Sequence, residues 1–363
     1  MLAPAAAGGL ESVVGALAIG QKERGHRVRV ISVVGNGERP GLHTRLEARG
    51  VAIDPIELPS RSYTRERAEY RRLFREIGPE IVHSHGYRPD VLAGGIAGSL
   101  GLPRVTTVHG FTGGDWKNRL YEFLQLRAFK RFESVVAVSR PLAAKLERRG
   151  VPASSLTVIP NGFDATGAAL TREEARAILG LPQDASVLGW VGRLGREKGL
   201  DIMLDAMARL ENTGLVLSVL GDGAERLNLE AQARALGIEG RVRWHNLVPD
   251  AGRLYRAFDT FVMSSRTEGT PISLFEAMAA EVPAVATAVG GIPDVLRDSE
   301  GFLVAPEDPT ALAAAITLVG ADPAEARRRA GRAAERVRQV YGLQSWLDQY
   351  DRLYRSLLTR RTN

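Results

Sequence analysis

Two carboxylates, Glu268 and Glu276, stand eight residues apart in the stretch Ser264-Ser265-Arg266-Thr267-Glu268-Gly269-Thr270-Pro271-Ile272-Ser273-Leu274-Phe275-Glu276. The apolar run Phe261-Val262-Met263 before it reads as a strand, Glu268-Gly269 breaks the run, and Thr270-Pro271 reads as a helix opening. A Thr side chain can cap free backbone N–H groups, and Pro at the first helical position loses no hydrogen bond. The backbone donors of such a helix start suit an anion such as a phosphate. A carboxylate in the loop and another in the helix would flank that anion and accept hydrogen bonds from hydroxyls. A nucleotide sugar has this chemistry, with phosphates between a ribose and a second sugar. Ser273-Leu274-Phe275-Glu276 also fits a capping box, in which Glu276 serves only the helix end, and Glu268 also fits a solvated loop position.

A second loop carries matching charge. Gly192-Arg193-Leu194-Gly195-Arg196-Glu197-Lys198-Gly199 follows the apolar strand Val187–Val191 and precedes a helix over Leu200–Leu210. Arg193 can grip a diphosphate as a bidentate fork, and Lys198 can meet it as a point charge. A solvated basic loop is the usual fate of an isolated Arg–Lys pair. Two phosphate-competent loops in one half of the chain argue against that fate here.

These motifs, in this order, resemble a retaining glycosyltransferase of the GT-B fold, family 4 (glycosyl transferases group 1). The resemblance runs over nearly the whole chain. Gly8-Gly9-Leu10-Glu11 is similar to the family's N-terminal glycine loop, and Gly25-His26-Arg27-Val28 to its first-helix exit into the next strand. Val108-His109-Gly110 is similar to the His-bearing loop of the first domain, and Val158-Ile159-Pro160-Asn161-Gly162-Phe163-Asp164 to the passage into the second. Leu220-Gly221-Asp222-Gly223 and Val289-Gly290-Gly291-Ile292-Pro293 complete the series with the Arg193/Lys198 and Glu268/Glu276 segments.

The resemblance implies an α/β architecture of two Rossmann-like domains whose parallel sheets face one another across a cleft. Residues 1–163 would form the acceptor domain, 164–342 the nucleotide-sugar donor domain, and 343–363 a terminal helix returning to the first. It implies transfer of a sugar from a UDP- or GDP-sugar to an acceptor hydroxyl with retention of anomeric configuration, in polysaccharide, glycolipid or other glycoconjugate synthesis. Donor-binding roles fall on Gly8, Gly9, Arg193, Lys198, Glu268, Gly269, Thr270, Pro271, Ile272, Ser273 and Glu276. Catalytic roles fall on His109, Glu268, Arg193 and Lys198. Glu276 would hold the ribose hydroxyls, Glu268 and His109 the transferred sugar, and the two cations the leaving diphosphate. No cofactor and no metal are implied, since the nucleotide sugar is itself a substrate. Pro160–Asp164 would be the hinge on which the domains close.

The residues themselves agree. At 363 residues the chain is long enough for two ordinary domains. Apolar runs suitable for strands alternate with helical stretches throughout, starting from Val28–Val34 and ending at Phe302–Val304, as parallel sheets covered by helices require. There is no cysteine, which excludes disulfides and suits a reducing, cytoplasmic compartment. The longest charge-poor apolar stretch, residues 91–103, is too short to cross a bilayer. Met1–Leu10 lacks the basic start of a signal peptide.

Charge is unevenly divided. Residues 1–165 hold 24 Lys and Arg against 16 Asp and Glu, whereas the remainder holds 24 against 26. Basic residues gather in Arg61–Arg75 and Lys117–Arg149, on segments with helical periodicity. Such faces suit an anionic membrane surface, where a lipid-linked acceptor would lie, and suit plain solvation equally. A carbohydrate is the other acceptor to consider. Nucleic acid has no support, because no nucleic-acid motif accompanies the basic segments.

Two positions depart from the family pattern. Met1-Leu2-Ala3-Pro4 leaves almost no opening strand, and Glu281 stands where a Gly is usual after a helix, a left-handed position costing roughly 1 kcal/mol. Competing readings are weaker. Neither Gly35-Asn36-Gly37 nor Gly221-Asp222-Gly223 continues to the third Gly of a dinucleotide fingerprint, and no Asp-x-Asp occurs. A sugar-nucleotide epimerase shares the architecture without this motif order. A non-catalytic nucleotide-sugar binder would be expected to lack one of the polar site residues. His83 and His85 read as structural hydrogen bonders, with His85 a minor acceptor-site candidate.

Overall fold

The computed structural model describes residues 1–3, 9–58, 62–110, 116–163, 169–211 and 214–362. Gly8, Arg61 and Asp164, each singled out above, lie outside the described residues. The chain divides into two units, Met1–Gly162 with Leu343–Asn363, and Phe163–Gly342.

In the first unit, β1 (Arg29–Val34) pairs in parallel with β2 (Ala52–Glu57). A second parallel sheet runs β3 (Val82–His85), β4 (Arg104–Val108), β5 (Ser134–Ala137) and β6 (Leu156–Val158), in that order. Met1 and Leu2 join the two. The Leu2 N–H donates to Ile31 O at 3.2 Å, Val33 N–H to Leu2 O at 3.1 Å, and His85 N–H to Met1 O at 2.9 Å. Among the described residues the opening strand is thus represented by a single bridge, Leu2 to Ser32. All four β5 residues are buried, as expected of a parallel strand covered on both faces. Helix Leu343–Thr362 belongs to this unit. Its Asp351 pairs with Arg24 at 2.8 Å, and its Tyr350 hydroxyl lies 2.9 Å from Thr107 Oγ1.

The second unit holds one six-stranded parallel sheet. Its strands are β7 (Ser186–Val191), β8 (Leu215–Leu220), β9 (Val242–His245), β10 (Thr260–Met263), β11 (Ala284–Thr287) and β12 (Phe302–Val304). Their order is β12-β11-β10-β7-β8-β9. The chain builds outward from β7 to β9, then returns to lay β10 on the other side of β7 and builds outward to β12. Loops leaving β7 and β10 therefore diverge, and ligands of open α/β sheets bind outside the carboxyl ends of the strands at such a reversal. Arg193, Lys198 and Glu268 all lie on those two loops.

One helix start needs correcting. The helix carrying Glu276 runs Ile272–Ala279, and Pro271 is its cap residue, extended at φ −76° and ψ 120°, not its first helical residue. A proline ring offers no acceptor, so this end has no capping side chain, and Thr270 sits one residue too far back to be the cap. The capping box of Ser273 and Glu276 does not form either, because Ser273 is already inside the helix.

Glu281 follows that helix at φ 59°, within the left-handed region. Its side chain is exposed and lies 4.0 Å from Arg338, a pair worth little. Glu281→Gly is therefore expected to stabilise the second unit by about 1 kcal/mol in chemical denaturation. A loss of stability would show that the side chain contributes more than its backbone costs.

Candidate functional site

The site in the second unit is made by loops locked backbone to backbone. Gly199 has φ 64°, and a Cβ there would fall 2.1 Å from Ser264 O. Gly290 has φ 54°, and a Cβ there would fall 1.8 Å from Glu268 O. Only glycine admits such approach, so the loops after β7 and β11 close directly on the loop after β10. Side chains hold the same seam. The buried Ser264 hydroxyl donates to Gly199 O at 2.7 Å, and Thr287 Oγ1 donates to Ser265 O at 2.6 Å.

Arg266 ties the two charged loops together. Its guanidinium meets Asp201 through two bonds of 2.7 Å and donates to Arg196 O at 2.7 Å, while its backbone N–H donates to Glu197 O at 2.9 Å. The hydrogen bonds it donates to Asp201 hold the Arg266 guanidinium further in its charged form. Glu307 adds a further carboxylate at 3.1 Å. Such a bidentate, multiply bonded pair fixes geometry as well as charge.

The loops bring Lys198 and Glu268 together. Lys198 Nζ donates to Glu268 Oε1 at 2.7 Å and to Oε2 at 3.0 Å, and the Ser265 hydroxyl donates to Oε1 at 2.7 Å. The Glu268 side chain is almost fully buried, unlike an ordinary solvated loop residue. Arg193 stands further out, 63% exposed, and pairs with Glu197. Burial raises the Glu197 carboxyl, but the hydrogen bond from Arg193 and backbone bonds prevail and leave it below its usual value.

Glu276 belongs to a different neighbourhood. Its Oε2 accepts from the Tyr255 hydroxyl at 2.8 Å, and its other oxygen lies against Gly252, where a Cβ would fall 2.8 Å away. Burial pushes this carboxyl up to about 7, and the Tyr255 hydrogen bond only moderates the rise. Gly269, Thr270, Pro271, Ile272 and Ser273 span the chain between the two carboxylates and deliver the helix start.

In the first unit, His109 follows β4 and packs beside His85 at the end of β3. Its Nε2 lies 3.2 Å from His85 Nδ1. His85 stacks on His83 with ring centroids 4.4 Å apart, and His83 is held by Thr107 Oγ1 at 2.8 Å and the Tyr354 hydroxyl at 2.7 Å. Burial lowers His109 to about 4 and holds His83 and His85 well below the ordinary histidine value. The ring of His109 is thus neutral at physiological pH, a hydrogen-bonding group rather than a cation. His85 is the residue that orients it. Gly9 opens helix Gly9–Glu23.

Sequence reasoning missed Ser265, Tyr255, Asp201 and Arg266 as site residues. Ser265 and Arg266 lie inside the Ser264–Glu276 motif, but a single Ser or Arg there carries no local signal of its own. Tyr255 and Asp201 have no local signal, since each meets its partner only through the fold.

Two family models match the chain, one described as Glycosyltransferase Family 4 over residues 7–166 and one as Glycosyl transferases group 1 over residues 171–337. A relative from Bacillus subtilis (strain 168), TuaC, named as a glycosyltransferase of teichuronic acid biosynthesis, is 32% identical over 67% of this chain and 62% of its own length. The 2-deoxystreptamine glucosyltransferase of Streptomyces kanamyceticus is 30% identical over 69% of this chain and 70% of its own. Among solved structures, HepE of Anabaena in complex with UDP-glucose superposes with a TM-score of 0.87 over 98% of both chains, at 22% identity.

Proposed function

This chain belongs to the glycosyltransferase family that joins these two models, with the GT-B fold, and from that premise we propose that it moves a sugar from a nucleoside diphosphate donor to an acceptor hydroxyl with retention of configuration. The observation that carries this reading is the meeting of Lys198 and Glu268 at the reversal between β7 and β10. A carboxylate and an ammonium held together in the ligand-binding crevice of an α/β sheet can exchange each other for a substrate that offers both hydroxyls and phosphates.

On this reading the diphosphate takes the charge of Lys198 and Arg193 and lies at the start of helix Ile272–Ala279. Glu268 then turns to the donor-sugar hydroxyls, and Glu276 accepts from the ribose diol. Negative charge grows on the leaving diphosphate as its bond to the sugar breaks, so groups fixed beforehand around it stabilise the transition state. The arrangement uses cations of the chain and asks for no metal. The acceptor hydroxyl attacks from the side of the leaving group and passes its proton to the departing phosphate oxygen, which preserves configuration and needs no enzymic nucleophile. His109 supplies a neutral hydrogen bond to the transferred sugar, and Gly9 admits the donor close to the backbone.

UDP-glucose bound to HepE supports UDP-sugars as the first donors to try. Carbohydrates and lipid-linked sugars, in the synthesis of a polysaccharide or glycoconjugate, are the acceptor classes of choice. Release of nucleoside diphosphate from a panel of UDP- and GDP-sugars, with and without acceptor and chelator, tests the reading. Acceptor-dependent release that survives chelator supports it. Tight nucleotide-sugar binding with no release in any combination would favour a non-catalytic binder.

His109→Ala is expected to lower transfer about tenfold, the worth of one hydrogen bond to substrate, while leaving nucleotide affinity unchanged. Calorimetry beside turnover separates the two. Equal losses in both would remove His109 from the sugar and return it to a structural role.

A further inference from the structure

Helix Trp116–Phe129 of the first unit is built to be buried on one side only. Its Gln125 is buried and donates to the buried Asp90 at 2.7 Å, and Phe129 is fully enclosed. The other side faces solvent with three large apolar residues, Leu120 at 47%, Phe123 at 58% and Leu124 at 39% exposure. Exposed Arg119 and Arg127 stand among them, and exposed Lys130 and Arg131 follow directly after the helix. At about 100° per residue, Arg119, Leu120, Phe123, Leu124 and Arg127 share an arc of roughly 140°. No acidic residue falls on that arc. Glu122, on the flank, is occupied by Arg149.

Apolar side chains left in water at this spacing mark a contact surface. Its charge names the partner. We propose that this face is a docking element for an anionic lipid surface, with Leu120, Phe123 and Leu124 entering below the headgroups and Arg119, Arg127, Lys130 and Arg131 meeting their phosphates. Guanidinium groups interleaved with hydrocarbon, and free of acids, suit a boundary where phosphate overlies acyl chains. The other basic helix, Tyr63–Ile77, is a poorer candidate. Its Arg72 is already shared between Glu69 and Glu76, and Tyr63 is its only large apolar residue exposed to this degree among the described residues. Among the described residues no helix is long and apolar enough to cross a membrane. This inference stands on the first unit alone and does not rest on the donor site.

The test is sedimentation with vesicles of phosphatidylcholine containing about a third phosphatidylglycerol, compared with phosphatidylcholine alone, across a salt series. The expected result is binding to the anionic vesicles that fades as salt rises, since these charges are screened. L120S/F123S/L124S should weaken it at least tenfold with the charges intact, and R119Q/R127Q should both weaken it and flatten its salt dependence. Nucleotide affinity and thermal melting should be unchanged in both variants, which separates failure here from failure of the donor reading or of folding. Absence of binding, equal binding to neutral vesicles, or undiminished binding by the triple variant would overturn the proposal. So would a dimer of the native chain that the triple variant abolishes, which would make the face a contact between copies.

Discussion

Lys198→Ala should lower turnover by about 10²–10³-fold, the loss typical when one preorganised donor to a developing negative charge is removed. Lys198 is expected to carry the larger share because it is held in place by two bonds to Glu268, whereas Arg193 is mostly exposed. The substitution also leaves Glu268 buried beside only the Ser265 hydroxyl, so some stability falls with it. Arg193→Ala is the cleaner companion. It breaks only an exposed pair, leaves melting unchanged, and should still slow transfer measurably. Steady-state assays well below the melting temperature of each variant decide the matter. Turnover near that of the native chain in both would remove these cations from the reaction.

Nucleotide-sugar affinity should rise about tenfold between pH 6 and pH 8, because only an ionised Glu276 can accept from both ribose hydroxyls. The direction follows from the carboxyl standing near 7. Below that value the folded protein holds a proton that the donor must displace, and above it none. The same shift acts oppositely on the fold. A carboxyl raised from its ordinary value of 4.5 contributes its stability below that pH and loses it as pH rises through 7. Affinity and stability contributed by this group should therefore move in opposite directions. The diphosphate of a nucleotide sugar keeps its charge over this range, so the ligand adds no titration of its own. Glu276→Gln should flatten the pH dependence, and Glu276→Ala should weaken binding by about 1–3 kcal/mol. A pH-independent native affinity, or an Ala variant that loses stability but not affinity, would return Glu276 to a purely structural place beside Tyr255.

Most of the architecture was legible because parallel strands buried on both faces read as plain apolar runs. Phe261-Val262-Met263 and Val135-Val136-Ala137 needed no partner to be recognised. The glycines were legible as motifs but not as causes. Gly199 and Gly290 are required by carbonyls of Ser264 and Glu268, contacts 65 and 22 residues distant that no local pattern announces. Helix ends were less legible. Thr270-Pro271 offered a cap and a first turn, yet Pro271 stays extended and takes the cap position itself. Among the described residues the opening strand is the Leu2 bridge alone, and the hydrogen bonds of Met1 and Leu2 to both neighbouring strands join partners that no local pattern in the sequence announces. At the site, residue types in the quoted loops were readable, but their pairing was not. Glu276 was paired by the fold with Tyr255, and Lys198 with Glu268, across 21 and 70 residues.

The second unit is proposed to bind a nucleotide sugar through Lys198 and Glu276. Calorimetric titration of the native chain and of K198A/E276A with UDP-glucose and a GDP-sugar at pH 8 tests it most directly. The native chain should bind at least one of them saturably, one to one. The double variant should lose at least a hundredfold in affinity, with the fold retained by circular dichroism. Native binding that the folded double variant preserves unchanged would contradict it.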